Sequence, residues 1–113
     1  MLRREYAAQY GFSMATAYAD DALDQRLEAL RDASDERVRA LVTALEPSGD
    51  VPEAAPGYAF EGVPAPADVA SAGAYTQTQQ QALVDQWRAT AANAESPQFR
   101  RLAIQLAAEA QEA

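Results

Sequence analysis

The chain has 113 residues, a formal net charge of −8 and neither histidine nor cysteine. The negative charge argues against binding to nucleic acid or to an anionic membrane surface, since both need clustered positive charge. Without cysteine the chain forms no disulfide, thiol nucleophile or thiolate metal site. Charged residues interrupt every long apolar stretch, so we expect no membrane span.

The amino-acid usage is typical of a helical protein. Alanine supplies 28 residues, and β-branched residues are few, a bias that favours helix. All nine basic residues are arginine, which suggests a GC-rich and therefore bacterial genome. The length corresponds to one domain, which we expect to cover residues 1–113.

Two helices are predicted in the first part of the chain. The first covers residues 2–19, and Asp20 or Asp21 would cap the second, at residues 21–45. The predicted buried face of the first helix contains Leu2, Tyr6, Tyr10, Ser13, Met14, Ala17 and Tyr18. The second helix has the more regular pattern, with Leu23, Leu27, Leu30, Ser34, Val38, Leu41 and Leu45 at steps of three or four.

A long connection, residues 46–66, follows the second helix. It contains five prolines and three glycines, which predicts an irregular segment. Such a segment can extend to about 70 Å, enough to run the length of a helical bundle and leave the second and third helices parallel. Tyr58, Phe60 and Val63 are candidates to anchor this crossover against the helices.

Two more helices are predicted after the crossover. The third covers residues 68–94, and the fourth covers 97–111 with Ser96 as N-cap and Pro97 in its first turn. The buried face of the third would contain Val69, Gly73, Thr76, Gln80, Leu83, Trp87, Thr90 and Ala94. The fourth would bury Phe99, Leu102, Ala103, Leu106 and Ala110. The predicted fold class is all-α, a four-helix bundle with a long Pro-rich crossover between helices 2 and 3.

Several short motifs resemble the uncharacterised ferritin-like family catalogued as domain of unknown function 4439. They are Glu5-Tyr6-Ala7-Ala8 with Tyr10-Gly11, Arg37-Val38-Arg39-Ala40-Leu41, Glu53-Ala54-Ala55-Pro56-Gly57-Tyr58-Ala59-Phe60 and Pro66-Ala67-Asp68. The resemblance implies a ferritin-like bundle and no established activity. The chain departs from the family at Tyr6, where a histidine often stands, and in the third helix, where Thr76-Gln77-Thr78-Gln79 replaces a stretch that often carries a glutamate.

A di-metal site of the ferritin type needs Glu-x-x-His motifs, which a chain without histidine cannot supply. Glu5, Glu36, Asp85 and Glu109 place one acid on each helix, but the last three lie off the predicted buried faces. We therefore expect no cofactor and no metal ligand. A carboxylate-only site for a hard cation such as Mg²⁺ or Ca²⁺ is a less favoured alternative.

A polar and aromatic cluster on the first helix consists of Glu5, Tyr6, Gln9 and Tyr10. Thr76, Gln80 and Trp87 of the third helix are candidates to face it. If Glu5 is buried it needs a partner, such as an arginine or a tyrosine hydroxyl. The favoured interpretation is a packed core. The alternative is a small-ligand site lined by Glu5, Tyr6, Tyr10, Gln80 and Trp87.

An acidic stripe follows the second helix at every fourth residue, comprising Asp20, Asp24, Glu28, Asp32 and Glu36. A solvated helix face is the default interpretation, and a docking strip for a basic partner is the functional one.

No catalytic motif is present, so we expect no enzyme. The favoured function is a non-catalytic structural or protein-interaction module that binds an unknown protein partner or forms a homodimer. The alternatives are the small-ligand binder and the carboxylate-only metal protein. The compartment is cytoplasmic by default, or exported if the chain is cut from a longer precursor.

Overall fold

A computed structural model describes residues 1–49, 51–55 and 64–112. These residues form four α-helices, and they contain no strand. The helices are α1 (Leu2–Thr16), α2 (Asp21–Leu45), α3 (Val69–Asn93) and α4 (Pro97–Glu112). The predicted all-α four-helix fold is therefore confirmed.

Side-chain caps define where three of the helices begin. The carboxylate of Asp20 accepts a hydrogen bond from the Leu23 amide at 2.9 Å, and that of Asp68 accepts one from the Ser71 amide at 2.8 Å. The Ser71 hydroxyl in turn accepts from the Asp68 amide, completing a capping box. At the start of α4, the Ser96 hydroxyl accepts from the amide of Phe99 at 3.3 Å.

Helix α1 ends at Thr16, three residues before the predicted end at Ala19. The amides of Ala17, Tyr18 and Ala19 each donate to the carbonyl three residues earlier, the tighter pattern that often closes a helix. The chain has to reverse direction before the Asp20 cap, and these turns make the reversal.

Contacts between helices show their relative directions. Glu5 contacts Arg37, and Gln9, further along α1, contacts the earlier residue Ser34. Helices α1 and α2 are therefore antiparallel.

Contacts between α1 and α3 show the relative direction of these two helices in the same way. Glu5 of α1 contacts Trp87, whereas Gly11 lies against Tyr75, earlier in α3. Helix α3 is thus also antiparallel to α1, and it is parallel to α2. Three residues join α3 to α4, which pack against each other. The connection between α2 and α3 consequently links parallel helices, and it runs as a crossover instead of a hairpin.

The prediction that residues 46–66 form an irregular segment is wrong at the start of that segment. Glu46–Ser48 forms a 3₁₀ turn that begins directly after α2, and Gly49 ends it with a φ of 73°. That value lies in the left-handed region, where a residue without a side chain is favoured. The proposed anchors Tyr58, Phe60 and Val63 lie outside the described residues.

The buried face of α1 differs from the predicted one. Tyr6, Tyr10 and Met14 are only half-buried. The fully buried residues of this helix are Leu2, Glu5, Ala8, Gly11, Phe12 and Ala15. Because α1 packs against both α2 and α3, its small residues occupy the close contacts and the tyrosines are displaced to the edges.

The predicted buried faces of the other helices agree better with the structure. In α2, Leu27, Leu30, Ser34 and Leu41 are buried as expected, together with Arg37. In α3 the buried face includes Thr76, Gln80, Leu83 and Trp87, whereas Val69 is 45% exposed at the first turn. No helix within the described residues has both the length and the apolar character that crossing a membrane requires.

Candidate functional site

A buried carboxylate lies at the centre of the bundle. Glu5 lies in the first turn of α1 and is completely shielded from solvent. Its partner is Arg37 of α2, also buried, whose Nε lies 2.5 Å from Oε1 and whose Nη2 lies 3.3 Å from Oε2. This two-pronged pairing satisfies the charge of both groups and fixes their relative orientation.

Two further donors complete the surroundings of Glu5. Ser34 donates its hydroxyl to Oε2 at 2.6 Å, and the Trp87 indole donates to Oε1 at 2.8 Å. Each carboxylate oxygen thus accepts two hydrogen bonds. A carboxylate offers about four lone-pair sites, so the hydrogen-bonding capacity of Glu5 is filled by α2 and α3.

The network extends from the interior to the surface through Gln9. Its side-chain amide donates to the Ser34 hydroxyl at 3.1 Å and to the exposed carboxylate of Asp35 at 3.0 Å. A hydrogen-bonded network of this kind favours one packing arrangement over others. The arrangement therefore couples α1, α2 and α3.

The structure brings together only part of the predicted ligand-binding set. Glu5 and Trp87 are hydrogen-bonded, but Gln80 donates instead to the Ala110 carbonyl of α4 at 2.8 Å. Tyr6 and Tyr10 are half-buried. A ligand-binding role for this set stays a prediction.

Sequence reasoning missed Arg37 as a member of the site. The sequence correctly indicated that a buried Glu5 needs a partner such as an arginine or a tyrosine hydroxyl. It did not indicate which arginine that partner would be. A signal was present, since Leu27, Leu30, Ser34, Arg37 and Leu41 step by three and four along the buried face of α2. An arginine in phase with such a stripe indicates a buried cation that requires an acid.

The acids on the other helices do not approach Glu5. Glu36, Asp85 and Glu109 are all exposed. Within the described ranges, no group of three or more acidic side chains is placed to hold a metal ion. The residues of the interior therefore do not resemble a carboxylate cage.

Three grooves mark the surface of the described residues. The one between α2 and α4 has a volume of about 280 Å³ and is lined by Ala33, Glu36, Arg37, Glu109 and Glu112. A second, about 150 Å³, is lined by Pro64, Ser71, Ala74, Tyr75 and Thr78. The third, about 10 Å³, has room for one water molecule beside Arg4 and Gln79.

One tyrosine on α3 has a shifted pKa. Burial raises the pKa of the Tyr75 hydroxyl, and the nearby Tyr10 raises it further. Tyr75 packs against Gly11 of α1, so the shift reflects close helix packing.

The fold and the interior together define a four-helix bundle with one crossover and, at its centre, a buried carboxylate whose hydrogen-bonding capacity is filled. No protein-family model matches the chain, and no curated protein or solved structure matches it significantly.

Proposed function

We propose that this chain is a non-catalytic protein-interaction module in which the central carboxylate is structural and does not hold a di-iron centre. The observation that carries the proposal is the saturation of Glu5, whose two oxygens accept hydrogen bonds from Arg37, Ser34 and Trp87.

Metal binding at Glu5 would require that this network be broken. A cation coordinated by either oxygen would displace Arg37, Ser34 or Trp87, and a displaced guanidinium would be left buried without its counter-charge. Removing one partner from a buried ion pair typically costs about 3–5 kcal/mol. Arg37 therefore occupies the electrostatic role that a metal would otherwise have beside this carboxylate.

The topology supports a ferritin-like assignment for the bundle. Ferritin-like bundles contain one long crossover, and here α2 and α3 are parallel helices joined by such a connection. Together with the resemblance in the motifs around Glu5 and Arg37, this arrangement favours a bundle of that type without its metal centre.

An interaction role is supported by the charge distribution at the surface. The acidic stripe of α2 is exposed along its whole length, from Asp20 to Glu36. It reaches the α2–α4 groove, where Glu109 and Glu112 add two more carboxylates. Concentrated negative charge on one side steers a positively charged partner and orients it.

The test of the metal-free interior is direct. Purified protein would be incubated anaerobically with Fe²⁺ or Mn²⁺, passed through a desalting column and submitted to elemental analysis, with Glu5→Gln in parallel. We expect bound metal far below one ion per chain in both proteins. One or two ions per chain in the parent protein, lost in Glu5→Gln, would overturn the proposal.

The interaction role has its own measurement. Light scattering after size-exclusion chromatography, at low and at high salt, gives the mass in solution. A dimer that dissociates at high salt would identify a second copy of the chain as the partner. If the protein is a monomer under both conditions, we expect its partner to be a different, basic protein that contacts the acidic stripe of α2.

A further inference from the structure

The α2–α4 groove combines negative charge with an unused hydrogen-bond donor. Its volume of about 280 Å³ is slightly below the usual range for pockets that hold drug-sized molecules. It is of the right order for one long side chain and the peptide group that carries it. Glu36 and Arg37 of α2 face Glu109 and Glu112 of α4 across this space.

The net charge of the groove is negative because its only cation is already neutralised. Arg37 is paired with Glu5 inside the bundle, so its charge does not offset the charges of Glu36, Glu109 and Glu112. All three glutamates are exposed, and the field of three carboxylates around one concavity attracts a cation.

Arg37 also provides a donor that the bundle does not use. Its Nε and Nη2 donate to Glu5, whereas Nη1 is buried and has no acceptor among the described residues. Because the guanidinium is planar and presents its Nε–Nη2 edge to Glu5, Nη1 points away from Glu5, and Arg37 is one of the residues that line the groove. A buried donor without an acceptor is unfavourable, so an acceptor that enters the groove is stabilised there.

We propose that this groove binds an arginine or lysine side chain from a peptide segment of a partner protein. Glu36, Glu109 and Glu112 bind the cationic head, and Arg37 Nη1 donates to a main-chain carbonyl of the same segment. The inference rests on the proposed function, since it specifies the partner of the interaction module.

The pairing of a cation with an acceptor favours a peptide over simpler ligands. A free amine or guanidine supplies charge but has no carbonyl for Nη1. A bare metal ion also has no carbonyl for Nη1, and the described acidic side chains are not placed to coordinate one. A basic residue in a peptide carries both groups on one short unit. The rim glutamates are exposed, so a segment from solvent can reach the groove.

The binding test uses three defined probes. N-acetyl-arginine methylamide carries the cation and the carbonyl, the matching citrulline compound lacks the charge, and n-butylguanidine has the same single guanidinium charge but no peptide carbonyl. Calorimetry measures each affinity, and fluorescence of Trp87, the only tryptophan, reports on the network through Glu5. We expect the arginine probe to bind at least about tenfold more tightly than the citrulline probe and several-fold more tightly than n-butylguanidine.

Two variants distinguish specific binding in the groove from general electrostatic attraction to an acidic protein. Glu109 and Asp85 are both exposed, and each accepts a hydrogen bond from the glutamine four residues earlier, Gln105 and Gln81. Glu109→Gln and Asp85→Asn therefore remove the same charge from similar surroundings. We expect Glu109→Gln to weaken binding of the arginine probe about two- to fivefold and Asp85→Asn to have little effect.

Equal losses in the two variants would overturn the proposal, because they would show non-specific attraction. The proposal would also be overturned if the citrulline probe bound as tightly as the arginine probe, or if the arginine probe showed no saturable binding. n-Butylguanidine binding as tightly as the arginine probe would overturn the assignment of Arg37 Nη1 to a carbonyl. None of these outcomes depends on the metal content of the interior, so a failure here is distinguishable from a failure of the proposed function.

Discussion

Trp87 donates its indole hydrogen to Glu5 Oε1 at 2.8 Å, although the two residues are 82 positions apart in the chain. The bond joins the first turn of α1 to the second half of α3 in the buried centre of the bundle. A buried indole N–H needs an acceptor, and Glu5 needs donors. Each residue therefore makes the burial of the other favourable, and the bond fixes the register between α1 and α3.

Removing the buried acid should destabilise the fold strongly. Glu5→Ala leaves Arg37 charged and unpaired and removes the acceptor of Trp87, so we expect the free energy of unfolding to fall by about 3–5 kcal/mol. Urea denaturation followed by circular dichroism measures this change. Glu109→Ala is the control, since the same residue type on the exposed side of α4 should change stability by less than about 0.5 kcal/mol.

The pairing itself is tested by combining Glu5→Ala with Arg37→Met. If the ion pair couples the two residues, the double variant should lose about 1–3 kcal/mol less than the sum of the two single losses. Additive losses would contradict a direct interaction between these side chains.

Ser34 should contribute to stability through the same carboxylate. Ser34→Ala removes a donor to Glu5 and an acceptor of Gln9, and we expect a loss of about 1.5–3 kcal/mol, the range for hydrogen bonds to charged groups. Ser13→Ala on the exposed side of α1 is the matched control and should be nearly neutral. Thermal denaturation of both variants decides the question. A loss in Ser34→Ala no larger than that in Ser13→Ala would show that the network does not need this hydroxyl.

Two helical glycines should respond differently to the same substitution. A Cβ at Gly73 would meet nothing within 4 Å, whereas one at Gly11 would lie 3.2 Å from the Tyr75 hydroxyl. Gly73→Ala should gain about 0.5–1 kcal/mol from helix propensity. Gly11→Ala should gain clearly less or lose stability, because the Tyr75 ring has to move.

Chemical denaturation of the two glycine variants provides the comparison. If Gly11→Ala stabilises the protein as much as Gly73→Ala does, the close approach of α1 and α3 at Gly11 is not a constraint.

The cap of α3 predicts a pH dependence. The hydrogen bonds from the Ser71 amide and then from its hydroxyl lower the pKa of Asp68 below its ordinary value of 3.8. A lowered pKa in the folded state means that the ionised cap stabilises the protein above the ordinary pKa. This contribution disappears as the pH falls through the folded pKa.

NMR titration of the Asp68 carboxyl measures the shift directly. We expect a midpoint below 3.8, and in Ser71→Ala a midpoint partly raised, because the amide donor stays while the hydroxyl is lost. In Asp68→Asn the acid-induced loss of stability should be smaller than in the parent protein. An unshifted midpoint in the parent would argue against the capping box.

The helices could be predicted from the sequence because their signals are local. Ser96 was recognised as the cap of α4 and Asp20 as one of two candidate caps of α2, and the leucines of α2 repeat at the helical period within one segment. The buried face of α1 was assigned wrongly because tyrosines at helical spacing looked like core residues. Phe12, with the small residues Ala8, Gly11 and Ala15, forms the core instead. Which face of a helix is buried depends on the neighbours it packs against, and those lie far away in the chain.

By itself the sequence determined an all-helical chain with an acidic surface, a proline-rich crossover and no histidine or cysteine for the usual metal centres. It also determined that a buried Glu5 would need a partner. Only the tertiary structure decided that this partner is Arg37, with Ser34 and Trp87 as further donors. The physical reason is that periodicity and capping act over a few residues, whereas hydrogen-bond partners across a bundle are chosen by helix direction and register.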